Sequence, residues 1–394
     1  MKYETGTKVF SDWMIVDQIG EGETGKVYEI QTTTGGVISR AALKVIRIPS
    51  SPEAVEAAKA RGMDEQAVKE YFQKIVNQVT GVCDQMCRLK GHPNLACWEE
   101  YQVIPQPEGF GWEILIRTEL LTPFQNYLQG RPFNEEEIIH IGKELLNALD
   151  FCAQQGILHG NIKPENVFVS DNGQFKLGDF SVGRILRRMQ GKFSDELEEY
   201  EAPEVYEKKP CGPEADMYSV GMLLYAFSNH GALPFYPPAP QRVTEEDKRN
   251  ALERRMRGEE IAPPEGVEND LGAVIQKACS YQPEMRYRTA AELKSALQNI
   301  LVQDAKQKNK KTVLVVVIVA ACVLLCAALL TWLFVTIFNV VKERTFQEEN
   351  SIEIDMPEIE VPDPDVPEIE MPEIEVPDVT VPEIETPDFS FSTE

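Results

Sequence analysis

Basic residues are scarce in this sequence: 39 Lys and Arg stand against 64 Asp and Glu, a formal net charge of −25 over 394 residues. A chain without a long basic face lacks the field that holds phosphate backbones, so a nucleic-acid partner is not expected. Disulfide-type spacing is also missing among the eight Cys, which is typical of a reducing cytosol. Residues Met1 to Thr5 contain no apolar core, so they are not expected to form a signal peptide.

The acidic excess is concentrated at the C-terminal end. Residues 342–394 carry a net charge of −16, and the remainder carries −9. Proline removes a backbone donor and holds the preceding residue extended, and like charges at this density repel, so an extended, disordered tail is expected. A passive acidic spacer is one interpretation of the tail, and a repeat that binds a partner or a divalent cation is the other. The five-residue repeat is marked by Pro357, Pro362, Pro367, Pro372, Pro377, Pro382 and Pro387.

One long apolar run precedes the tail. From Thr312 to Val341 there are 30 residues without a charge, more than the ~20 that cross a bilayer, so residues 313–338 are predicted to form a transmembrane helix. The flanking segment 303–312 is basic, and by the positive-inside rule this places the N-terminal head in the cytoplasm and the tail outside it. The basic side chains nearest to the run are Lys306, Lys308, Lys310 and Lys311.

A glycine-rich stretch lies near the N-terminus and reads Gly20-Glu21-Gly22-Glu23-Thr24-Gly25-Lys26-Val27. Residues 15–30 alternate well enough for two strands joined by this turn, and glycines let a backbone close over phosphates without a Cβ in the way. Lys44 follows Gly25 by 19 residues in the strand-like run Ala41-Ala42-Leu43-Lys44-Val45-Ile46. This spacing predicts a phosphate cradle.

Three further motifs follow in order. They are Ile157-Leu158-His159-Gly160-Asn161-Ile162-Lys163-Pro164-Glu165-Asn166, then Asp179-Phe180-Ser181, then Ala202-Pro203-Glu204. Together with the glycine-rich stretch they resemble the protein-kinase signature set, so the chain resembles the eukaryotic-like Ser/Thr protein kinases over about residues 9–302. The resemblance implies a bilobal α+β fold. The N-lobe, about 9–121, would be a small sheet with one helix, and the C-lobe, about 122–302, would be mainly helical.

The resemblance also implies the ligands ATP and Mg²⁺ and the residues that hold them. Thr118 would be the gatekeeper beside adenine, with the backbones of Glu119 and Leu121 contacting the base. Asn166 and Asp179 would ligate Mg²⁺. The nucleotide would also be held by Gly20, Gly22, Gly25, Val27, Ala42 and Lys44.

Asparagine stands where the family has its catalytic aspartate. The amide of Asn161 cannot take a proton near neutral pH, and general-base action contributes about 10²–10⁴-fold to a rate. Lys163 remains to steady the γ-phosphate. Phosphoryl transfer depends mostly on positioning and charge stabilisation, so loss of the base is expected to cripple transfer without necessarily abolishing it.

Other departures fall on the same machinery. Gly160 replaces the Arg that normally receives an activation-loop phosphate, Ser181 replaces the Gly of Asp-Phe-Gly, and Leu197 replaces a Thr that contacts the catalytic Asp. The helix acid that pairs with the cradle Lys would fall near Val82 or Cys83, where no acid exists, so Lys44 is expected to lack its partner or to borrow another acid. The stretch Ser51–Gly81 resembles an insert.

The supporting scaffold matches the family. Asp216 is at the position that anchors the catalytic loop, and Arg286 is at the position that pairs with Glu204. A basic stretch in the activation segment is interpreted as a solvated face, with a docking site for an acidic partner as the alternative. It comprises Arg184, Arg187, Arg188 and Lys192.

The favoured interpretation is a pseudokinase. It is a membrane-anchored, kinase-like signalling protein that binds Mg-ATP and transfers phosphate weakly or not at all. One alternative is an active Ser/Thr kinase with an unconventional site, and the other is a non-enzymatic membrane scaffold. In each case the head is expected to meet a cytoplasmic protein, and the tail is open to an extracytoplasmic partner.

Overall fold

The computed structural model describes residues 3–22, 25–106, 110–128, 132–190, 199–238 and 241–349. The chain forms two compact units, Met1–Leu314 and Val315–Glu394. The tail predicted for residues 342–394 lies outside the described residues from position 350 onward, so its disorder stays a prediction.

The first lobe is built on an antiparallel sheet of six strands in the order β1-β2-β3-β4-β6-β5. The glycine-rich stretch joins β2 to β3, with Gly22 paired to Gly25, which confirms the predicted hairpin. Lys44 lies on β4 between β3 and β6. The strands are β1 (Lys8–Val9), β2 (Trp13–Gly22), β3 (Gly25–Thr34), β4 (Val37–Ile48), β5 (Trp98–Pro105) and β6 (Trp112–Thr118).

This lobe carries two helices where one was predicted. The stretch that resembled an insert is helical: α1 (Pro52–Ala60) precedes α2 (Glu65–Arg88). Gly62, at φ +84°, breaks the helical path between them, and the Asp64 side chain accepts a 2.8 Å bond from the amide of Ala67 and caps α2. The buried residues of α2 recur at helical spacing: Val68, Phe72, Ile75, Val76, Val79, Cys83 and Met86.

The second lobe packs helices around α7, whose residues are almost all buried. A helix that is apolar on every side must be covered on every side, and α4 and α9 pack against it. A small sheet in the order β7-β8-β9 lies beside α4. The elements are β7 (Thr122–Pro123), α3 (Phe124–Leu128), α4 (Glu135–Gln154), β8 (Val167–Val169), β9 (Phe175–Leu177), α5 (Val182–Gln190), α6 (Pro203–Tyr206), α7 (Pro213–Ser228), α8 (Glu245–Met256), α9 (Asn269–Ala278) and α10 (Ala290–Glu349).

A buried ion pair fixes the base of this lobe. Arg286 donates to both carboxylate oxygens of Glu204, at 2.7 and 2.9 Å, and neither side chain is more than 9% exposed. Both nitrogens also donate to backbone carbonyls, so the guanidinium is fully satisfied. The pairing predicted from the sequence is confirmed.

The apolar run lies in α10. Its part from Lys310 to Thr345 is long and apolar enough to cross a membrane, and none of it is buried within the protein. The helical part of the prediction for residues 313–338 is therefore confirmed, and its length and composition are sufficient to span a membrane.

Candidate active site

A cleft of 1070 Å³ opens between the large sheet and the small sheet. The elements that form it are the β2–β3 hairpin, β4, the segment after β6, and the strands that lead to Asp179. Eight of the predicted site residues line this one cleft: Gly20, Val27, Ala42, Lys44, Thr118, Glu119, Leu121 and Asp179.

The middle of the cleft is an apolar slot. Val27 and Ala42 come from the large sheet, and Phe168 comes from β8 on the other side. The sequence reasoning missed Phe168, although a signal existed. Val167 and Val169 are buried, so strand alternation turns Phe168 to the opposite face. A flat aromatic base fits between such surfaces.

Two predicted glycines do not line the cleft among the described residues. A Cβ on Gly25, at φ +141°, would lie 2.1 Å from the carbonyl oxygen of Val45, so close approach of β4 requires glycine there. No atom lies within 4 Å of a Cβ placed on Gly22. The two residues between them, Glu23 and Thr24, lie outside the described part of the chain.

Lys44 pairs with the acid of the Asp179-Phe180-Ser181 motif. Its Nζ lies 2.7 Å from Oδ2 of Asp179, and Lys44 is only 7% exposed. As expected, α2 carries no acid at the position of the usual partner of Lys44. Cys83 stands at this position, and burial raises the pKa of its thiol to about 12, so the thiol stays neutral and cannot replace the acid. The nearby Asp84 accepts a 2.7 Å bond from the hydroxyl of Tyr101.

Asn161 is held by hydrogen bonds on both sides. Its Nδ2 donates to the carbonyl oxygen of Asp179 at 2.9 Å, and its own carbonyl oxygen accepts from Nδ2 of Asn166 at 2.7 Å. Its amide N–H donates to Nδ1 of His159 at 3.2 Å. The side chain at the position of the base therefore acts as a donor to a carbonyl, and a carboxylate in the same place would face that oxygen unfavourably.

Asp216 anchors the catalytic loop from α7. Its two carboxylate oxygens accept from the backbone amides of His159 at 2.9 Å and Gly160 at 2.8 Å, as the sequence predicted. Burial raises the pKa of Asp216 to about 6, and the two backbone donors and the nearby charge of Arg184 oppose that rise. The neighbouring His159 is buried, which lowers its pKa to about 3 and keeps it neutral.

Arg184 occupies the space that Gly160 leaves open. Gly160 adopts φ +62°, and a Cβ there would lie 2.9 Å from Cζ of Arg184, so the guanidinium covers the glycine directly. The prediction of a solvated face was wrong for Arg184, since its Nη1 is buried and has no hydrogen-bond partner. The empty volume and the carboxylate of Asp216 draw the cation inward. The side chains of the other three basic residues lie outside what the structure describes.

Ser181 ties the activation segment to the catalytic loop. Its backbone amide and its hydroxyl both donate to the carbonyl oxygen of His159, at 3.2 and 2.9 Å, and glycine could supply only the first bond. From Ser181 the chain enters α5, which packs against α2. Leu197 lies outside the described residues, so its predicted role stays a prediction.

Glu119 uses its side chain for the protein itself. The carboxylate accepts from the amide of Cys97 at 2.6 Å and from Nζ of Lys176 at 2.9 Å, and the backbone amide donates to the carbonyl of Cys97. Among the residues that the structure describes, the carbonyl oxygen of Glu119 accepts a single long bond of 3.3 Å, from the hydroxyl of Thr118. Any contact of Glu119 with a base in the cleft is therefore expected through this carbonyl.

Comparison with known proteins gives one family. A family model described as protein kinase domain matches residues 13–299. NUAK family SNF1-like kinase 2 of Rattus norvegicus is 28% identical over 225 residues, which cover 56% of this chain and 31% of that protein. Serine/threonine-protein kinase PknB of Mycobacterium leprae is 30% identical over 174 residues, which cover 42% and 26%. The chain spans about a quarter to a third of the length of these curated relatives.

The contact between Gly160 and Arg184 predicts a specific cost for a side chain at position 160. Gly160→Ala is expected to destabilise the fold by more than the ~1 kcal/mol of a left-handed alanine, because the Cβ must also displace the guanidinium. Gly173→Ala is the matched control, since Gly173 has φ +80° and nothing within 4 Å of its Cβ position.

The measurement is urea unfolding of the full-length protein in detergent, followed by tryptophan fluorescence. In an Arg184→Ala background the cost of Gly160→Ala is expected to fall to that of Gly173→Ala. Equal costs for Gly160→Ala with and without Arg184 would contradict the contact.

Proposed function

Because the chain belongs to the protein kinase family, as a eukaryotic-like Ser/Thr kinase, we propose that it is a membrane-anchored signalling protein that binds Mg-ATP and transfers phosphate to protein weakly or not at all. The observation that carries the proposal is the contrast inside one site. Eight of the groups that would hold nucleotide and metal line the cleft, and the group that would take the acceptor proton is the amide of Asn161, which donates to the backbone of Asp179.

The chemistry of the cleft fits a magnesium nucleotide. The apolar slot suits a purine ring, and the buried cation of Lys44 suits phosphate oxygens. The carboxylate of Asp179 suits a hard divalent metal. The other predicted metal ligand, Asn166, donates to the backbone carbonyl of Asn161, whose side chain in turn donates to the carbonyl of Asp179. When bound, Mg-ATP would supply the transferable phosphoryl group. Lys44 and Asp179 form an ion pair in the structure. On binding, the phosphate would pair with Lys44 and the metal ion with Asp179, so each charge would exchange one partner for another.

The same contacts explain why transfer would be weak. Asn161 donates to the backbone instead of accepting a proton, and the lost general base corresponds to about 10²–10⁴-fold in rate. Ser181 and α5 hold the start of the activation segment on the catalytic loop and on α2. If nucleotide binding shifts α5, a partner protein that binds α5 would sense the nucleotide without any phosphate transfer.

The membrane part of the proposal rests on α10 and on the charges that flank its apolar segment. The run of uncharged residues is preceded by Lys306, Lys308, Lys310 and Lys311, while Lys342 and Arg344 follow it within an acidic region. The positive-inside rule then assigns the kinase-like head to the cytoplasm and the residues after α10 to the opposite side. The Ser/Thr kinase relatives are consistent with a protein partner for the head.

Nucleotide binding is expected to raise the melting temperature of the full-length protein. A ligand at 100 times its Kd stabilises the native state by about 2.7 kcal/mol, so millimolar Mg-ATP gives a clear shift in a thermal melt. Lys44→Met and Asp179→Asn are expected to abolish the shift. Lys26→Met is the matched control, because Lys26 lies on the neighbouring strand β3, its side chain is 45% exposed, and it does not line the cleft among the described residues. Nucleotide binding is disproved if the wild type shows no shift and no calorimetric heat.

An aspartate at position 161 tests the proposal that phosphate transfer is weak because the general base is missing. Asn161→Asp is expected to raise transfer of the γ-phosphate to a generic protein substrate by about 10²-fold if the base is the main missing part. The substitution loses the bond to the Asp179 carbonyl, at a cost of about 1–3 kcal/mol, so the Mg-ATP melting shift is measured alongside to verify the fold. Asn250→Asp, on the exposed face of α8, is the control. A wild-type rate of about 1–100 s⁻¹, typical of kinases, would overturn the proposal of weak transfer.

Protease accessibility tests the topology. In right-side-out vesicles, external protease is expected to remove the residues after α10 and to leave the head intact, because the head is assigned to the cytoplasm. Permeabilised vesicles, in which both sides are accessible, are the control. A protected C-terminal end together with a digested head would reverse the assignment.

A further inference from the structure

The segment that lines the base end of the cleft is fastened to the other lobe by an ion pair. Glu119 follows β6 of the large sheet, and Lys176 lies on β9 of the small sheet. The Nζ of Lys176 lies 2.9 and 3.0 Å from the two carboxylate oxygens of Glu119. Only 12% of the Lys176 side chain and 26% of the Glu119 side chain are exposed. Lys176 itself does not line the cleft among the described residues, so the proposed function leaves this cation without a role.

The ion pair crosses a short stretch of chain that lies between the two segments. Glu119 holds this stretch from one side: its carboxylate accepts from the amide of Cys97 at 2.6 Å, and its own amide donates to the carbonyl of Cys97 at 3.1 Å. Leu177 holds it from the other side. Its amide donates to the carbonyl of Asn94 at 2.9 Å, and its carbonyl accepts from the amide of Ala96 at 2.8 Å. The junction therefore joins β9 to the chain after β6 through both backbone and side-chain bonds.

Both ends of this junction continue into the cleft. The carboxylate of Glu119 is occupied by Cys97 and Lys176, so the carbonyl oxygen is the group that Glu119 can offer to a base. Within the described part of the chain, that oxygen accepts one long bond of 3.3 Å, from Thr118. In the other direction β9 leads from Lys176 to Asp179, the acid that the proposed function gives to the metal. The ion pair thus helps to fix the spacing between the base end and the metal end of the cleft.

We propose that Lys176 is a positioning residue for the nucleotide, which holds the peptide of Glu119 so that its carbonyl oxygen accepts the amino group of adenine. This inference rests on the proposed function, because it concerns the same cleft. A charge-assisted bond to both carboxylate oxygens fixes a side chain more firmly than a single neutral bond does. An acceptor that is already held in place does not have to be ordered when the ligand arrives, and this favours affinity.

A purely structural role of the ion pair predicts a different result. If the pair only stabilised the fold, its loss would lower the melting temperature and would leave the relative affinity for two nucleotides unchanged. A positioning role makes the loss depend on the ligand, because only a base with the amino group can use the carbonyl of Glu119. Purine riboside triphosphate has hydrogen in place of this amino group and therefore distinguishes the two roles.

The test is calorimetric titration of the full-length protein in detergent with two ligands, Mg-ATP and the Mg²⁺ complex of purine riboside triphosphate. The wild type is expected to bind Mg-ATP about tenfold more tightly, as one hydrogen bond to a carbonyl allows. In Lys176→Met the affinity for Mg-ATP is expected to fall about tenfold and the affinity for the other ligand by less than about twofold, so that the preference disappears. Lys176→Arg keeps the charge and is expected to retain the preference.

Lys248→Met is the matched control, because Lys248 also forms an ion pair of 2.9 Å, with Glu245, and is not among the described residues that line the cleft. This control is expected to bind both ligands as the wild type does. If Lys176→Met does not fold, Glu119→Gln serves in its place, since it keeps an acceptor for Cys97 and removes the charge.

Three results overturn this inference alone: equal affinity of the wild type for the two ligands, a preference that survives in Lys176→Met, or an equal loss of affinity for both ligands in that variant. The last result would mark a purely structural ion pair. Binding of neither nucleotide by the wild type would refute the proposed function and this inference together.

Discussion

The carboxylate of Asp216 holds the catalytic loop in place, and the geometry of the site follows from it. It rises from the buried helix α7 and accepts the amides of His159 and Gly160, which fixes the backbone immediately before Asn161. From Asn161 the hydrogen bonds continue to the backbone of Asp179. Asp179 in turn meets Lys44 from the other lobe. A rigid core helix thus positions, through one buried acid, groups that come from both halves of the kinase domain.

Two cations of the site, Lys44 and Arg184, lie against other groups of the protein. The cation of Lys44 pairs with Asp179, since α2 offers only a neutral thiol, and Arg184 fills the space where the catalytic loop has only Gly160. At these two positions, Cys83 and Gly160, a neighbouring group therefore takes up the charge or the space. The kinase fold remains coherent although the residue that would take the acceptor proton is absent.

Motif spacing predicted the order of elements and most of the cleft, because strand alternation and glycine turns act over a few residues. It predicted the pairs of Arg286 with Glu204 and of Asp216 with the loop through the resemblance to kinases. Gly160 stands where the kinase family usually has an arginine, and the guanidinium of Arg184 lies over it. This contact could not be predicted, since it depends on how α5 packs in three dimensions. Phe168 was predictable from the alternation of β8 and was overlooked. The extra helix α1 between β4 and α2 was not predicted, because the helical period was not followed across Gly62.

Gly25 bears on how such motifs persist over evolutionary time. The carbonyl of Val45 approaches the position of its missing Cβ to 2.1 Å, so glycine is required by the strand pairing alone. A lineage in which the nucleotide had ceased to matter would still be under selection to retain glycine there, because every replacement would disturb the sheet. Gly25 therefore reports the architecture of the sheet, and its presence alone says nothing about whether a nucleotide is still bound.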